Sequence, residues 1–174
     1  MMSKLLDEGN LQFDFSAFQS VERFDDSKIN STGMKAVDFF AEDEECMYFI
    51  EVKDFQHPNA PTEKRNADYQ MLIAAAKDKE TVFPIEMGVK IKDSLLRRFS
   101  LGEAFTKKVI YLLLINLEKL GEFERGMLKE KINGHIPTGL SEKRFPAFTS
   151  IEFDLVNMEQ LKNHGVICTA KTEV

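Results

Sequence analysis

Tryptophan is absent from this chain, and cysteine is scarce, with Cys46 and Cys168 as the two occurrences in 174 residues. Two isolated cysteines form neither a disulfide framework nor the spacing of a zinc site, which favours a reducing compartment. The amino-terminal segment has no apolar stretch as long as that of a signal peptide, and the longest apolar run, residues 109–115, is too short to span a bilayer. We therefore expect a cytoplasmic protein without a membrane partner.

The motifs of several enzyme classes are also missing. The chain has no glycine-rich loop that could cradle a phosphate, which disfavours a nucleotide-binding enzyme. It has no G-x-S-x-G sequence, and neither cysteine has a local histidine signature, which disfavours a serine or cysteine nucleophile. A catalytic centre in this chain must therefore use other side chains.

The net charge of −6 does not by itself indicate a nucleic-acid partner. The charge is unevenly distributed, however, because residues 1–60 contain 13 acidic and 5 basic side chains, whereas residues 61–174 contain 16 acidic and 18 basic ones. Within residues 90–108, six basic side chains accompany two acidic ones. A phosphate backbone could dock on such a patch while a metal ion neutralises the acidic centre. The alternative is the solvated face of an ordinary helix.

The most informative residues are three charged side chains in two apolar segments. Residues 35–41 contain Asp38, and residues 48–55 contain Glu51 and Lys53, each among hydrophobic neighbours typical of a buried strand. Charged side chains are almost never fully buried without a partner. Two carboxylates that face each other are a natural site for a divalent cation.

The polar link EDEEC between the two segments has the length of a hairpin loop. If the turn centres between Glu44 and Glu45, Asp38 lies opposite Glu51, with Cβ atoms about 5 Å apart. Lys53 then shares the face of Glu51 at a distance of about 6–7 Å. A cation between the two carboxylates would reverse their repulsion. The alternative is a surface hairpin on which Glu51 and Lys53 form an exposed face.

This arrangement resembles the PD-(D/E)xK superfamily of restriction-endonuclease-like proteins. Asp38 is followed, after a hairpin, by Glu51-Val52-Lys53, a helix and a buried strand, and a valine precedes Asp38 where the motif has proline. The resemblance covers roughly residues 1–116. It implies that Asp38 and Glu51 bind Mg²⁺ or Mn²⁺, often with help from the carbonyl of Val52. It also implies that Lys53 orients the attacking water and offsets charge on the phosphate.

The resemblance implies a metal-dependent hydrolase of the endonuclease or exonuclease type. Its substrate would be nucleic acid, with DNA favoured over RNA, and a homodimer is one arrangement for cutting both strands. Two accessory residues are candidates. Glu22 could be the third acid that the superfamily often brings from an N-terminal element, and Gln70, on the helix after the motif, could contact the substrate or the metal-bound water. Exposed surface positions are the alternative for both.

Two other hypotheses remain open. The chain could be a catalytically inactive, nuclease-like binding or interaction module on the same scaffold, which its overall acidity favours. The hairpin acids could also be purely structural, in a protein whose role is to contact a partner. Binding of Mn²⁺ at the hairpin distinguishes these hypotheses from an active nuclease.

The remaining pattern predicts one α/β domain over residues 1–174, with a core of about residues 1–116 and an α/β extension of about residues 117–174. The implied architecture is the restriction-endonuclease-like three-layer fold, a central mixed β-sheet flanked by helices on both faces. Helices are expected at residues 3–8, at 62–80 with Thr62 as N-cap, from Pro84 onward, at 122–132 and at 158–164. Strands are expected at residues 11–15, in the motif hairpin, and at 108–117, 149–156 and 166–169. Residues 17–25 fit a helical turn or an irregular strand, and residues 26–34 a loop.

Overall fold

The computed structural model describes residues 4–25, 32–139 and 150–171, and the loop expected at residues 26–34 lies largely outside them. The described residues form eight β-strands, three α-helices and one short 3-10 helix at Gln160–His164. The strands are β1 (Leu5–Glu8), β2 (Leu11–Asp14), β3 (Ser20–Arg23), β4 (Phe39–Glu42), β5 (Cys46–Asp54), β6 (Lys108–Asn116), β7 (Ile151–Val156) and β8 (Ile167–Ala170). The α-helices are α1 (Thr62–Ala76), α2 (Val82–Ser100) and α3 (Glu122–Asn133).

A five-stranded sheet in the order β3-β4-β5-β6-β7 forms the centre of the fold. The strands β3, β4 and β5 pair antiparallel, whereas β5, β6 and β7 pair parallel, so the expected mixed α/β sheet is confirmed. Residues 109–115 of β6 are all buried. The continuous apolar run of β6 is therefore that of a strand covered on both faces, as the sequence predicted.

The three α-helices pack on one face of this sheet. Leu72 of α1, Met87 of α2 and Leu128 of α3 share one core with the sheet residues Phe49 and Tyr111. The opposite face is covered by a second sheet of three strands, in the order β1-β2-β8. In the described residues the α-helices therefore lie on one face only, and the second face is covered by this small β-sheet together with Leu161 of the 3-10 helix, in place of an α-helical layer.

The second sheet begins where the sequence predicted a helix, so the helix expected at residues 3–8 is wrong for the described part of that segment. Residues 5–8 form β1, which turns back into β2 through Gly9 and Asn10, and Glu8 pairs with Leu11. Gly9 has a φ of 55°, and glycine adopts this region without steric cost. The segment is too short to show a clear periodicity, so its pairing with β2 determines its structure.

The other predicted elements are confirmed in type, with shifted ends. α1 ends at Ala76 rather than near residue 80, and Pro61 rather than Thr62 is its N-cap residue. α2 begins at Val82, two residues before Pro84. The segment 17–25 contains a strand, β3, and not a helical turn. These differences leave the order of the elements unchanged.

The carboxyl-terminal residues join both sheets. β7 pairs with β6 at the edge of the five-stranded sheet, and β8 pairs with β2, with Leu11 opposite Ala170. Gly165, with a φ of 78°, ends the 3-10 helix just before β8. The described parts of the two strands and the short helix expected between residues 149 and 169 are therefore confirmed.

Arg125 of α3 connects the end of β6 to the start of α3. Its Nε donates a hydrogen bond to the carbonyl oxygen of Leu120 at 3.0 Å. Its Nη2 donates to the carbonyl oxygens of Ile115 and Leu117 at 3.1 and 3.0 Å. Because the side chain is buried, these bonds satisfy main-chain groups that water cannot easily reach.

Replacing Arg125 with methionine should therefore lower the free energy of unfolding by about 3 kcal/mol, since three carbonyl groups lose their donor. Urea denaturation followed by circular dichroism measures this change. The control is Lys131→Met on the same helix, which removes an exposed ion pair with Asp78 and should cost less than about 1 kcal/mol. Equal stability of the Arg125→Met protein and the wild type would contradict this role of Arg125.

Candidate active site between the hairpin and the second helix

The β4–β5 hairpin has the register that the sequence predicted. Phe40 pairs with Phe49, and continuing the ladder by two residues places Asp38 opposite Glu51. Phe40 and Phe49 belong to the core between the sheet and the helices. Residues two positions apart on a strand share a face, so Asp38, Glu51 and Lys53 are also on the helical side of the sheet.

Glu51 is fully buried, with an exposed fraction of 0%, and its carboxylate contacts two cations. Its Oε1 lies 2.8 Å from Nζ of Lys53 and 2.7 Å from Nζ of Lys90. Nζ of Lys90 also donates a hydrogen bond to Oε2 at 2.9 Å. Oε1 therefore has two ammonium groups as partners, and Oε2 has one.

Lys90 of α2 belongs to this site, because its ammonium group contacts Glu51. The sequence predicted it only as part of a basic patch. It lies about one helical turn from both Met87 and Ser94, which are buried. Sequence reasoning missed this role because the burial of these two neighbours depends on how α2 packs against the sheet. Burial lowers the pKa of Lys90, but the charge and hydrogen bond of Glu51 and the charge of Asp38 outweigh burial, and the net shift is upward. The ammonium group therefore stays charged at neutral pH.

Asp38 is 7% exposed, and its Oδ2 accepts a hydrogen bond from the backbone N–H of Val52 at 2.6 Å. Burial and then the charge of Glu51 raise the pKa of Asp38 from 3.8 to about 7. Lys90 and the Val52 N–H act in the opposite direction but do not cancel this shift. The side chains around the two carboxylates therefore compensate their repulsion only in part.

Tyr111 of β6 lies beside the same group of charges. It pairs with Phe49, so its ring is on the helical face, and its hydroxyl donates a hydrogen bond to the carbonyl oxygen of Met87 at 3.3 Å. Burial, followed by the charges of Glu51 and Asp38, raises the pKa of Tyr111 well above its usual value. The phenol therefore stays protonated and is not a base for this site.

The oxygen atoms at this site match a hard divalent cation. Mg²⁺ is usually bound through one or two carboxylates, and waters and substrate phosphates complete its coordination. Asp38 and Glu51 supply such carboxylates, and on metal binding Oε1 of Glu51 would exchange its contacts with the ammonium groups of Lys53 and Lys90 for the ion. Nowhere in residues 4–25, 32–139 and 150–171 do three His, Cys, Asp or Glu side chains form a metal-binding group. A bound Mg²⁺ or Mn²⁺ would therefore have two protein carboxylates here and would take its other ligands from water or substrate.

The two accessory candidates lie outside this group of charges. Glu22 of β3 pairs with Phe40 and shares its face, but its side chain is 49% exposed and its Oε1 accepts a hydrogen bond from Arg98 at 2.7 Å. Gln70 is an exposed residue of α1. Within the part of the chain that the structure describes, neither residue makes a hydrogen bond to Asp38 or Glu51.

The basic residues of segment 90–108 do not form one free surface. Five of the six contact acidic side chains or main-chain groups of the same chain. Their partners are Glu51 for Lys90, Phe24 for Arg97, Glu22 and Glu103 for Arg98, Glu42 for Lys107 and Glu152 for Lys108. The patch that could have docked a phosphate backbone is therefore largely neutralised within the protein.

A cavity of about 270 Å³ opens at the carboxyl end of β5. Its lining includes Lys53 together with His57, Lys64 and Asp68 from the following loop and α1. The side chain of Lys53 is 26% exposed and its ammonium group contacts the buried Glu51, so the residue that pairs with Glu51 also lines this cavity. A larger cavity, of about 410 Å³ at the ends of β6 and β7, includes none of the three motif residues. A substrate group could therefore approach the site from the side of Lys53.

Comparisons of the chain with protein-family models, with curated proteins and with solved structures find no match. Each described helix is too short or too polar to cross a membrane. Membership of the PD-(D/E)xK superfamily stays a prediction from the motif residues.

Proposed function

We propose that this protein is a metal-dependent nuclease of the PD-(D/E)xK type that hydrolyses phosphodiester bonds of nucleic acid. The strongest support is the convergence of Asp38, Glu51 and Lys53 on one face of the β4–β5 hairpin, with Lys53 at the edge of a cavity. Asp38 and Glu51 are the proposed metal ligands. When bound, Mg²⁺ or Mn²⁺ would polarise the scissile phosphate and lower the pKa of a water molecule.

The three side chains have different tasks in this proposal. Burial in β5 holds the carboxylate of Glu51 in place, and the N–H of Val52 holds that of Asp38, so that little ordering is needed when a cation binds. Lys53 is exposed enough to donate hydrogen bonds to a phosphate oxygen and to the attacking water. A fixed ammonium group there stabilises the negative charge that develops on the phosphate.

The proposal extends to the fold, partners and location that the motif implies. The mixed sheet and its helical layer are compatible with a restriction-endonuclease-like core in which the β1-β2-β8 sheet replaces the second helical layer. DNA is the favoured substrate over RNA, and the favoured location is the cytoplasm. A homodimer would allow the cleavage of both strands.

Replacing Lys53 with methionine should reduce cleavage by at least about 100-fold while Mn²⁺ binding persists, since the ammonium acts on the reacting phosphate and is not a metal ligand. Cleavage of single- and double-stranded DNA and RNA, with Mg²⁺, with Mn²⁺ and with EDTA, measures this loss. The matched control is Lys79→Met, which removes an exposed lysine of the segment after α1 and should leave the rate unchanged. Wild-type cleavage that persists in EDTA, or full activity of the Lys53→Met protein, would contradict the proposal.

One observation favours a second candidate, a catalytically inactive nuclease-like binding module. Lys90 contacts both carboxylate oxygens of Glu51 and Lys53 contacts one of them, so this carboxylate has cationic partners without a metal ion. A wild-type protein that neither cleaves any substrate of the panel nor releases heat on titration with Mn²⁺ would favour this module over the nuclease.

A further inference from the structure

The position of Lys90 has a consequence for metal binding. Its Nζ lies 2.7 Å from Oε1 and 2.9 Å from Oε2 of Glu51, so one ammonium group occupies both oxygens of a proposed metal ligand. The Lys90 side chain is only 12% exposed. A cation that binds Glu51 must therefore compete with a charge that the fold itself supplies.

The two lysines at Glu51 differ in what they can contact elsewhere. Lys53 touches Oε1 alone and also lines the cavity at the end of β5, where it can meet a substrate phosphate. Lys90 projects from α2 toward the sheet, between the buried Met87 and Ser94, and Glu51 is the partner of its ammonium group. Other charges near it on α2 are already paired, since Glu86 binds Lys35 and Asp93 accepts the backbone N–H of Lys35.

We infer that Lys90 is a built-in competitor of the divalent cation, whose displacement from Glu51 sets the metal affinity of the site. This inference depends on the metal site proposed above. The ammonium group supplies a positive charge beside the buried carboxylate of Glu51 when no metal is bound. On metal binding, Glu51 exchanges this hydrogen-bonded partner for the ion, and the lost contact weakens the apparent affinity.

Isothermal titration with Mn²⁺ tests this inference on four proteins, namely the wild type, Lys90→Gln, Lys90→Met and the control Lys92→Met. Lys90→Gln keeps a hydrogen-bond donor for Glu51 and removes the charge. We expect both Lys90 variants to bind Mn²⁺ about 10- to 100-fold more tightly than the wild type, as expected for the loss of one charge-assisted hydrogen bond. Lys92 is exposed on the same helix, so Lys92→Met changes the net charge equally and should leave the affinity within about twofold.

The outcomes separate this inference from the proposed function. Tighter binding by the Lys90 variants than by the wild type supports the inference. If the variants bind Mn²⁺ and the wild type binds none, the result also favours the inactive module. Equal affinity of the wild type and the Lys90 variants would overturn the inference and leave the nuclease proposal standing. Absence of binding in every protein would overturn both.

A measurement on the wild type covers the case in which the variants do not fold. In protein labelled with ¹³C and ¹⁵N, the Cε resonance of Lys90, assigned by through-bond correlation to its own backbone amide, should shift with the same midpoint as Mg²⁺ binding, because its ammonium leaves Glu51. A Lys90 resonance that stays in place while Mg²⁺ saturates the protein would overturn the inference.

Discussion

The Glu51→Gln protein is expected to lose metal-dependent cleavage by at least about a thousandfold and to unfold more easily by about 3 kcal/mol. The loss of activity follows because the amide lacks the charge that a metal ligand supplies. The loss of stability follows because Lys53 and Lys90 would then lose the carboxylate that both contact, and Lys90 is largely buried. Cleavage assays with Mn²⁺ and urea denaturation measure the two effects separately.

Two further proteins identify the cause of these effects. Glu44→Gln removes the same charge from an exposed position of the β4–β5 loop and should match the wild type in both assays. Adding Lys90→Met to Glu51→Gln should restore more than half of the lost stability, since the unpaired ammonium is then gone, but no activity. A Glu51→Gln protein as active and as stable as the wild type would contradict the assigned role of Glu51.

The second large effect is expected from Asp38→Asn and depends on pH. Because the pKa of Asp38 rises from 3.8 to about 7 on folding, the folded protein holds this proton more tightly than the unfolded chain. The contribution of this proton to the free energy of unfolding is fully present below pH 3.8 and is lost as the pH rises through about 7. Integrated over that interval, the loss reaches about 4 kcal/mol.

Asparagine is neutral at every pH and can still accept the hydrogen bond of the Val52 N–H. We therefore expect Asp38→Asn to be more stable than the wild type by about 2–4 kcal/mol at pH 8 and equal to it near pH 3.5. Mn²⁺ should stabilise the wild type at pH 8 and leave Asp38→Asn unchanged. The control Asp78→Asn makes the same change at an exposed position and should follow the pH profile of the wild type. Parallel profiles of Asp38→Asn and the wild type would contradict the raised pKa.

The central part of this site could be predicted because it depends on local pattern. The polar link between two apolar segments fixed the centre of the hairpin turn, and strand alternation then placed Asp38 opposite Glu51, as the pairing of Phe40 with Phe49 confirms. The buried strand β6 was also predictable, since a continuous apolar run needs cover on both faces. Both inferences use residues that are close in sequence.

The remaining features depend on contacts between distant residues. β2 pairs with β8, with Leu11 opposite Ala170, and no local signal indicates that this sheet replaces a helical layer. α2 has buried apolar residues such as Ile91 and exposed ones such as Leu96 and Phe99, so its sequence does not show which side meets the sheet. The role of Lys90 depends on that choice. Its contact with Glu51 therefore emerged only from the packing of α2 against β5.

Anomalous diffraction from crystals grown with Mn²⁺ tests the central claim most directly, that Asp38 and Glu51 together hold one divalent cation beside Lys53. We predict a single strong peak about 2.1 Å from an oxygen of each carboxylate, with the ammonium group of Lys90 moved away from Glu51. A map at saturating Mn²⁺ without a peak between the two carboxylates, and with Lys90 still on both oxygens of Glu51, would contradict the claim.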